Sequence, residues 1–206
     1  PVNFFGVPRF AKPPRIDGAL AEWERVPTIL LRGREMLVRS PAEYQGAADL
    51  AGVLRLAWDA DALYLAVTVT DDVFLQEHTG FETWKGDCLQ FAFDLDPGKE
   101  AGRTGNLLAD AGARHRACEV DLALTRQGPE AYRTLSWDPE RFPVRLLRPD
   151  ELPLAVVRSD GSLHYEAAIR WRTLGLTRPP RAGDRFGIAL TINDMDQAGQ
   201  LDPAAL

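Results

Sequence analysis

Trp84 stands in the polar segment that follows His78-Thr79-Gly80, between Thr83 and Lys85-Gly86 and just ahead of a strand-like run. An indole exposed in such a loop can stack on the apolar C–H face of a pyranose ring, while planar amides and carboxylates beside it bond the hydroxyls. The competing role is purely structural, with Trp84 capping the edge of the fold. Acidic groups recur at Asp71-Asp72, Asp94/Asp96 and Asp194/Asp196. Carboxylate oxygens are what calcium requires, although none of these groups follows a recognised calcium loop. His78, His115 and His164 are dispersed, and His115 with Cys118 is too short a motif to define a zinc site. There is no Gly-x-Ser-x-Gly elbow, no His-Glu-x-x-His and no phosphate loop, so no signal points to catalysis. Trp23, Trp58 and Trp171 lie on or against apolar faces and read as core. Trp137, in an irregular segment, suits either role and could fold over the loop that carries Trp84.

The elements that must position these residues are strands. Leu54, Leu56 and Trp58 share one face; after the Asp59–Asp61 turn, so do Leu63, Leu65, Val67 and Val69. Further strands are expected at Val26–Leu31, Glu35–Val38, Cys88–Asp94, Ala117–Arg126, Val144–Leu147, Leu154–Arg158, Leu163–Trp171 and Arg185–Asn193. Ala19–Trp23 suits a single helical turn capped by Asp17 or Gly18. Residues 1–13 read as an extended N-terminal arm, 40–50 as a polar loop and 96–114 as a Gly-rich flexible loop. About ten strands with one or two helical turns make an all-β antiparallel sandwich the expected fold, as a single domain over 1–206. Cys88 falls on the outward face of its strand and Cys118 on the inward face of its own, so the two are not expected to pair.

The chain has 206 residues and a net charge of −6, which disfavours a nucleic-acid or anionic membrane partner. Its longest apolar runs, Ala62–Val69 and Ile188–Ile192, are of strand length, so no membrane span is expected. It opens on Pro1 with no leader, as a processed product would, any targeting segment being already gone.

Four segments in order, PRIDGALAEWERVP (Pro14–Pro27), LRLAWDADALYLAVTVTDD (Leu54–Asp72), TWKGDCLQFAFD (Thr83–Asp94) and HYEAAIRWRTLGL (His164–Leu176) followed by GDRFGIALTINDMD (Gly183–Asp196), together resemble the family 9 carbohydrate-binding modules and the wider DOMON-like group of sandwiches. The resemblance implies an immunoglobulin- or jelly-roll-like sandwich of two sheets. It also implies non-catalytic binding of a saccharide end or short oligosaccharide, in an extracytoplasmic protein that can carry other domains. Sugar-binding members hold the saccharide between two tryptophans. Trp84 matches the first of these. Gln90 falls where an acidic residue sits, Glu119 and Asp121 lie on a strand where one contact is basic, and Asn193 matches an asparagine contact. The second tryptophan has no counterpart in Gln197–Leu206, and Trp137 is the substitute on offer. The same resemblance suggests structural calcium, with Asp17 and Asp72 as candidate ligands. Two alternatives remain. One is a haem-binding electron-transfer domain, in which Met36 and Met195 have no clear histidine opposite. The other is a docking sandwich whose sugar site has decayed.

Overall fold

Leu50–Trp58 (β2), whose burial largely alternates, and Ala62–Asp71 (β3), buried on both faces over its first six residues, form the antiparallel hairpin around which the fold is organised. A computed structural model describes residues 5–38, 44–97, 116–197 and 204–205. The remaining strands are Thr28–Leu31 (β1), Cys88–Asp94 (β4), Ala117–Thr125 (β5), Gly128–Ser136 (β6), Arg145–Leu146 (β7), Leu154–Ser159 (β8), Ser162–Arg170 (β9), Gly187–Asp194 (β10) and Ala204–Ala205 (β11). They form two antiparallel sheets. One has five strands in the order β1-β2-β3-β9-β8, the other six in the order β11-β10-β4-β5-β6-β7. The expected all-β sandwich is thus the fold.

The inner faces follow from parity. Leu54, Leu56, Leu65, Val67, Tyr165 and Ile169 of the first sheet meet Leu89, Phe91, Phe93, Val120, Leu122 and Ile192 of the second. Gly52 lies on this inner face, and a Cβ there would come within 2.3 Å of Ile192 Cδ1. Its lack of a side chain lets the sheets close up at that level. At the far end Trp171 stacks against Phe186 and donates its indole N–H to the carbonyl of Asp59 at 2.9 Å.

A second, smaller core covers the outer face of the five-stranded sheet. Trp23, fully buried, packs with Phe10 and Val26 over Tyr64, Ala66 and Ala168. Glu166, also fully buried, accepts hydrogen bonds from Trp23 Nε1 and from the backbone N–H groups of Asp17 and Gly18, each at 2.9 Å. This carboxylate fixes the short 3-10 turn Leu20–Trp23 against the sheet.

Two local expectations need correction. Glu35–Val38 was expected as a strand, but Arg34–Met36 is a 3-10 turn that follows Gly33, whose φ of 98° suits glycine best. Gly128–Ser136, unassigned from sequence, is the nine-residue strand β6. Its alternation was hidden because buried Arg133 takes an inward position, bonding the carbonyls of Thr173 at 2.7 Å and Pro143 at 3.2 Å. Cys88 and Cys118 are both buried and free. Burial pushes the Cys118 thiol up to about 12 and raises Cys88 further above its usual range, so both are poor nucleophiles. The 96–114 loop lies outside the described residues from 98 onward.

Candidate functional site

Trp84 sits on a 3-10 turn, Gly80–Lys85, laid across the outer face of the six-stranded sheet. Thr83 is buried and points its hydroxyl at the carbonyl of Gly80 (3.0 Å) and the carboxylate of Asp121 (3.4 Å). Buried Gln76 donates its amide to the carbonyls of Thr83 and Asp87, at 2.8 and 3.1 Å. A Cβ at Gly86 would strike that amide at 2.7 Å. The N–H of Gly80 is held by the Glu130 carboxylate. Trp84 itself is half-buried, with the Lys85 ammonium 5.8 Å from its ring centroid and paired to Glu82.

Four of the expected polar residues gather around this turn. Register places Thr191, Gln90, Asp121 and Tyr132 in one row across β10, β4, β5 and β6, with Ala189, Ala92 and Glu119 in the next. Asn193 is buried. Its amide donates to the carbonyl of Trp84 (3.0 Å), to Gln90 Oε1 (3.2 Å) and to Cys88 Sγ (3.6 Å). Gln90 and Glu119 are half-exposed, and Glu119 takes a 2.9 Å bond from the Thr134 hydroxyl. Asp121 is 1% exposed. Burial, reinforced by the Glu119 charge, raises its carboxyl to about 7. Asp121 and Asn193 therefore shape the site from beneath, while Trp84, Gln90, Thr191 and Glu119 are at its surface.

Sequence reasoning passed over Phe81. It is 56% exposed, meets Tyr132 edge-on at 6.2 Å and precedes Trp84 by one 3-10 period. Side chains three apart on such a turn project to the same side. That spacing, Phe81 to Trp84, was the available signal.

Trp137 lies elsewhere. It follows Ser136, which pairs with Cys118 at the opposite end of the sheet from Cys88 and Trp84. There it packs on Phe142 (5.6 Å) beneath the Arg116 guanidinium (4.7 Å). It is not the second wall of a clamp on Trp84.

The calcium candidates are also separated. Asp17 is exposed on the outer face of the other sheet, where it bonds Ala19 N–H and pairs with Arg15. Asp72 is exposed as well. The carboxylates that do converge are its neighbours. Oxygens of Asp71, Asp87 and Asp194 lie within 4.8 Å of one another, as do those of Asp49, Asp194 and Asp196. Asp71, Asp87 and Asp194 are buried. Burial, with mutual repulsion added, pushes them up to about 6, 9 and 8 respectively.

A cleft of about 1440 Å³ opens between the sheets at the β1–β10 edge, lined by Trp58, Phe93, Trp171, Phe186, Ile188 and Leu190 among others. Its described lining offers no His, Met, Cys or Lys. The axial ligation that a haem needs has no donors there.

An antiparallel sandwich that lays an aromatic turn over a polar strand face has the geometry of a binding module. The family model for the carbohydrate family 9 binding domain-like domains matches residues 16–204, so the chain belongs to that family, one of binding rather than catalytic modules. No curated protein matches the sequence. Among solved structures the chain is similar to a family 9 carbohydrate-binding module from Caldicellulosiruptor kristjanssonii in complex with cellotriose. The two share 14% identity over 97% of this chain and 80% of that one, with a TM-score of 0.65. A structure of a family 9 module from the same organism with glucose gives 16% identity, 97% and 81% coverage, and a TM-score of 0.63. At these identities the likeness carries the fold.

Proposed function

We propose that the chain binds a saccharide end or short oligosaccharide, without catalysis, on the outer face of β10, β4 and β5. Trp84 provides the stacking surface and Phe81 a flanking apolar wall. Gln90, Glu119 and Thr191 bond hydroxyls, while Asn193 and Asp121 hold that array in place. The observation that carries this reading is the single amide of Asn193 joining the Trp84 carbonyl to Gln90. It couples the aromatic platform to the nearest exposed polar group. Family membership supports the ligand class, as do the cellotriose and glucose complexes of the similar modules. An extracytoplasmic location agrees with the family, and no described helix is long and apolar enough to cross a membrane. A shallow platform of this kind implies affinities of about 1 µM to 1 mM.

The test is a titration with mono- and oligosaccharides, read by calorimetry and tryptophan fluorescence, on the wild type and on Trp84→Ala. Binding by the wild type that disappears in Trp84→Ala is the expected result. No binding across the panel, or undiminished binding by the variant, refutes the proposal.

A further inference from the structure

The strand face beside Trp84 carries carboxylates that no described cation neutralises. Glu119 and Asp121 stand two apart on β5 and so share its outer face. Glu130 lies on the same face of β6, paired in register with Ala123. None of the three has an ion-pair partner among the described pairs. Lys85, the cation beside the Trp84 ring, is paired with Glu82.

The groups that do hold these carboxylates are neutral. The register between β5 and β6 shifts at Glu119/Val120, which leaves Thr134 as the extra residue of a bulge. A bulge re-aims the side chains beside it, and here it sets the Thr134 hydroxyl on Glu119 Oε1 at 2.9 Å. Glu130 accepts the N–H of Gly80. Asp121 Oδ2 faces the Thr83 hydroxyl at 3.4 Å, while its Oδ1 has no hydrogen-bond partner although the residue is only 1% exposed. Glu119 remains half-exposed, so its charge is presented to whatever lies on the face.

Glu119 is diagonal to Gln90 across the β4–β5 pair, a Cα separation of about 7–8 Å. Gln90 is tied to Trp84 through the Asn193 amide. A short oligosaccharide stacked on Trp84 and bonded to Gln90 therefore brings a further ring substituent within reach of Glu119. A hydroxyl there gives the carboxylate an ordinary hydrogen bond, whereas an ammonium gives it a stronger, charge-assisted one. A cation also favours the ionised form of Asp121, whose carboxyl is held near 7 by burial and by the Glu119 charge. A sugar carboxylate meets repulsion at the same place. We infer that the site selects a saccharide bearing a protonated amine, of the glucosamine type, over its neutral counterpart, with Glu119 pairing the ammonium and Asp121 adding its charge beneath. The inference names a ligand class for the function proposed above and rests on it.

The experiment is a calorimetric titration at about pH 6.5, where an amine is protonated, with cellotriose, the equivalent glucosamine trimer and its N-acetylated form. The last keeps the nitrogen and loses the charge. The glucosamine trimer should bind about three- to tenfold more tightly than either neutral trimer at low salt, and the margin should shrink as sodium chloride is raised to about 1 M. Glu119→Gln should bring the glucosamine trimer and cellotriose to within about twofold of each other. Glu140→Gln, which removes an exposed acid beyond the far end of β6, should keep the margin. Cellotriose bound as tightly as the glucosamine trimer by the wild type overturns the inference and leaves saccharide binding itself standing. A margin that survives in Glu119→Gln, or that Glu140→Gln removes equally, is attraction by the net charge of −6 and also overturns it. Failure to bind any of the trimers refutes the function proposed above, and this inference with it.

Discussion

Asn193, near the end of β10, donates its side-chain amide to the main-chain carbonyl of Trp84 at 3.0 Å, across 109 residues of chain. The bond explains why a tryptophan on a short surface turn keeps a defined position. Carbonyls of the turn are also held from outside it, by Asn193 of β10 and by Gln76 of the segment that leads into the turn. Asn193→Ala leaves the Trp84 carbonyl and Gln90 Oε1 without that donor. The expected cost is about 1–3 kcal/mol of stability, with a larger proportional loss of saccharide affinity than of fold. Urea unfolding read beside a saccharide titration checks this; a variant with unchanged affinity would contradict the coupling.

Gly52→Ala is expected to destabilise by about 1–3 kcal/mol through overpacking, because its Cβ would meet Ile192 Cδ1 at 2.3 Å. Ile192→Val removes the offending carbon. The double variant should therefore recover much of the loss, giving a favourable coupling energy in a double-mutant cycle. Strictly additive effects would show that the sheets give way elsewhere.

Glu166→Gln should destabilise the turn that carries Trp23. The carboxylate accepts three hydrogen bonds at 2.9 Å, and an amide nitrogen cannot accept one. At least one buried donor is left unpaired, for about 1–3 kcal/mol. Thermal unfolding, with Glu22→Gln as an exposed control, measures it. Equal melting temperatures would refute the assignment.

Most of the sandwich was legible because its strands alternate cleanly. Leu163, Tyr165, Ala167 and Ile169 all fall in the core. β6 was not legible because its inward position is held by Arg133, whose burial depends on carbonyls from two distant loops. The site was legible in part. Trp84, Gln90, Asp121 and Asn193 do come together, but their burial depends on how the turn lies over the sheet, which no local pattern encodes. The acidic junction was missed for the same reason. Its members lie at the ends of strands in different sheets, and only the packing of those sheets brings Asp71 to Asp87 and Asp194. Sequence favoured Asp72 instead, the exposed neighbour of the residue that converges.

Asp121 gives the binding face a pH signature. Burial, then the neighbouring Glu119 charge, raises its carboxyl from 3.8 in the ordinary state to about 7 in the fold. Between those values the native state holds a proton that the unfolded chain releases, so this residue's contribution to stability is lost as pH rises from about 4 to 7. Asp121→Asn removes the titration and keeps the shape. The variant should match the wild type near pH 4 and gain on it as pH rises to about 7, by at most about 1.4 kcal/mol per pH unit. Urea midpoints at several pH values, all in EDTA so that the other buried carboxylates are in a common state, check the slope. A difference between the two proteins that stays constant across the range would mean that Asp121 is ionised throughout. Its unpartnered Oδ1 would then have to be satisfied by something other than its own proton.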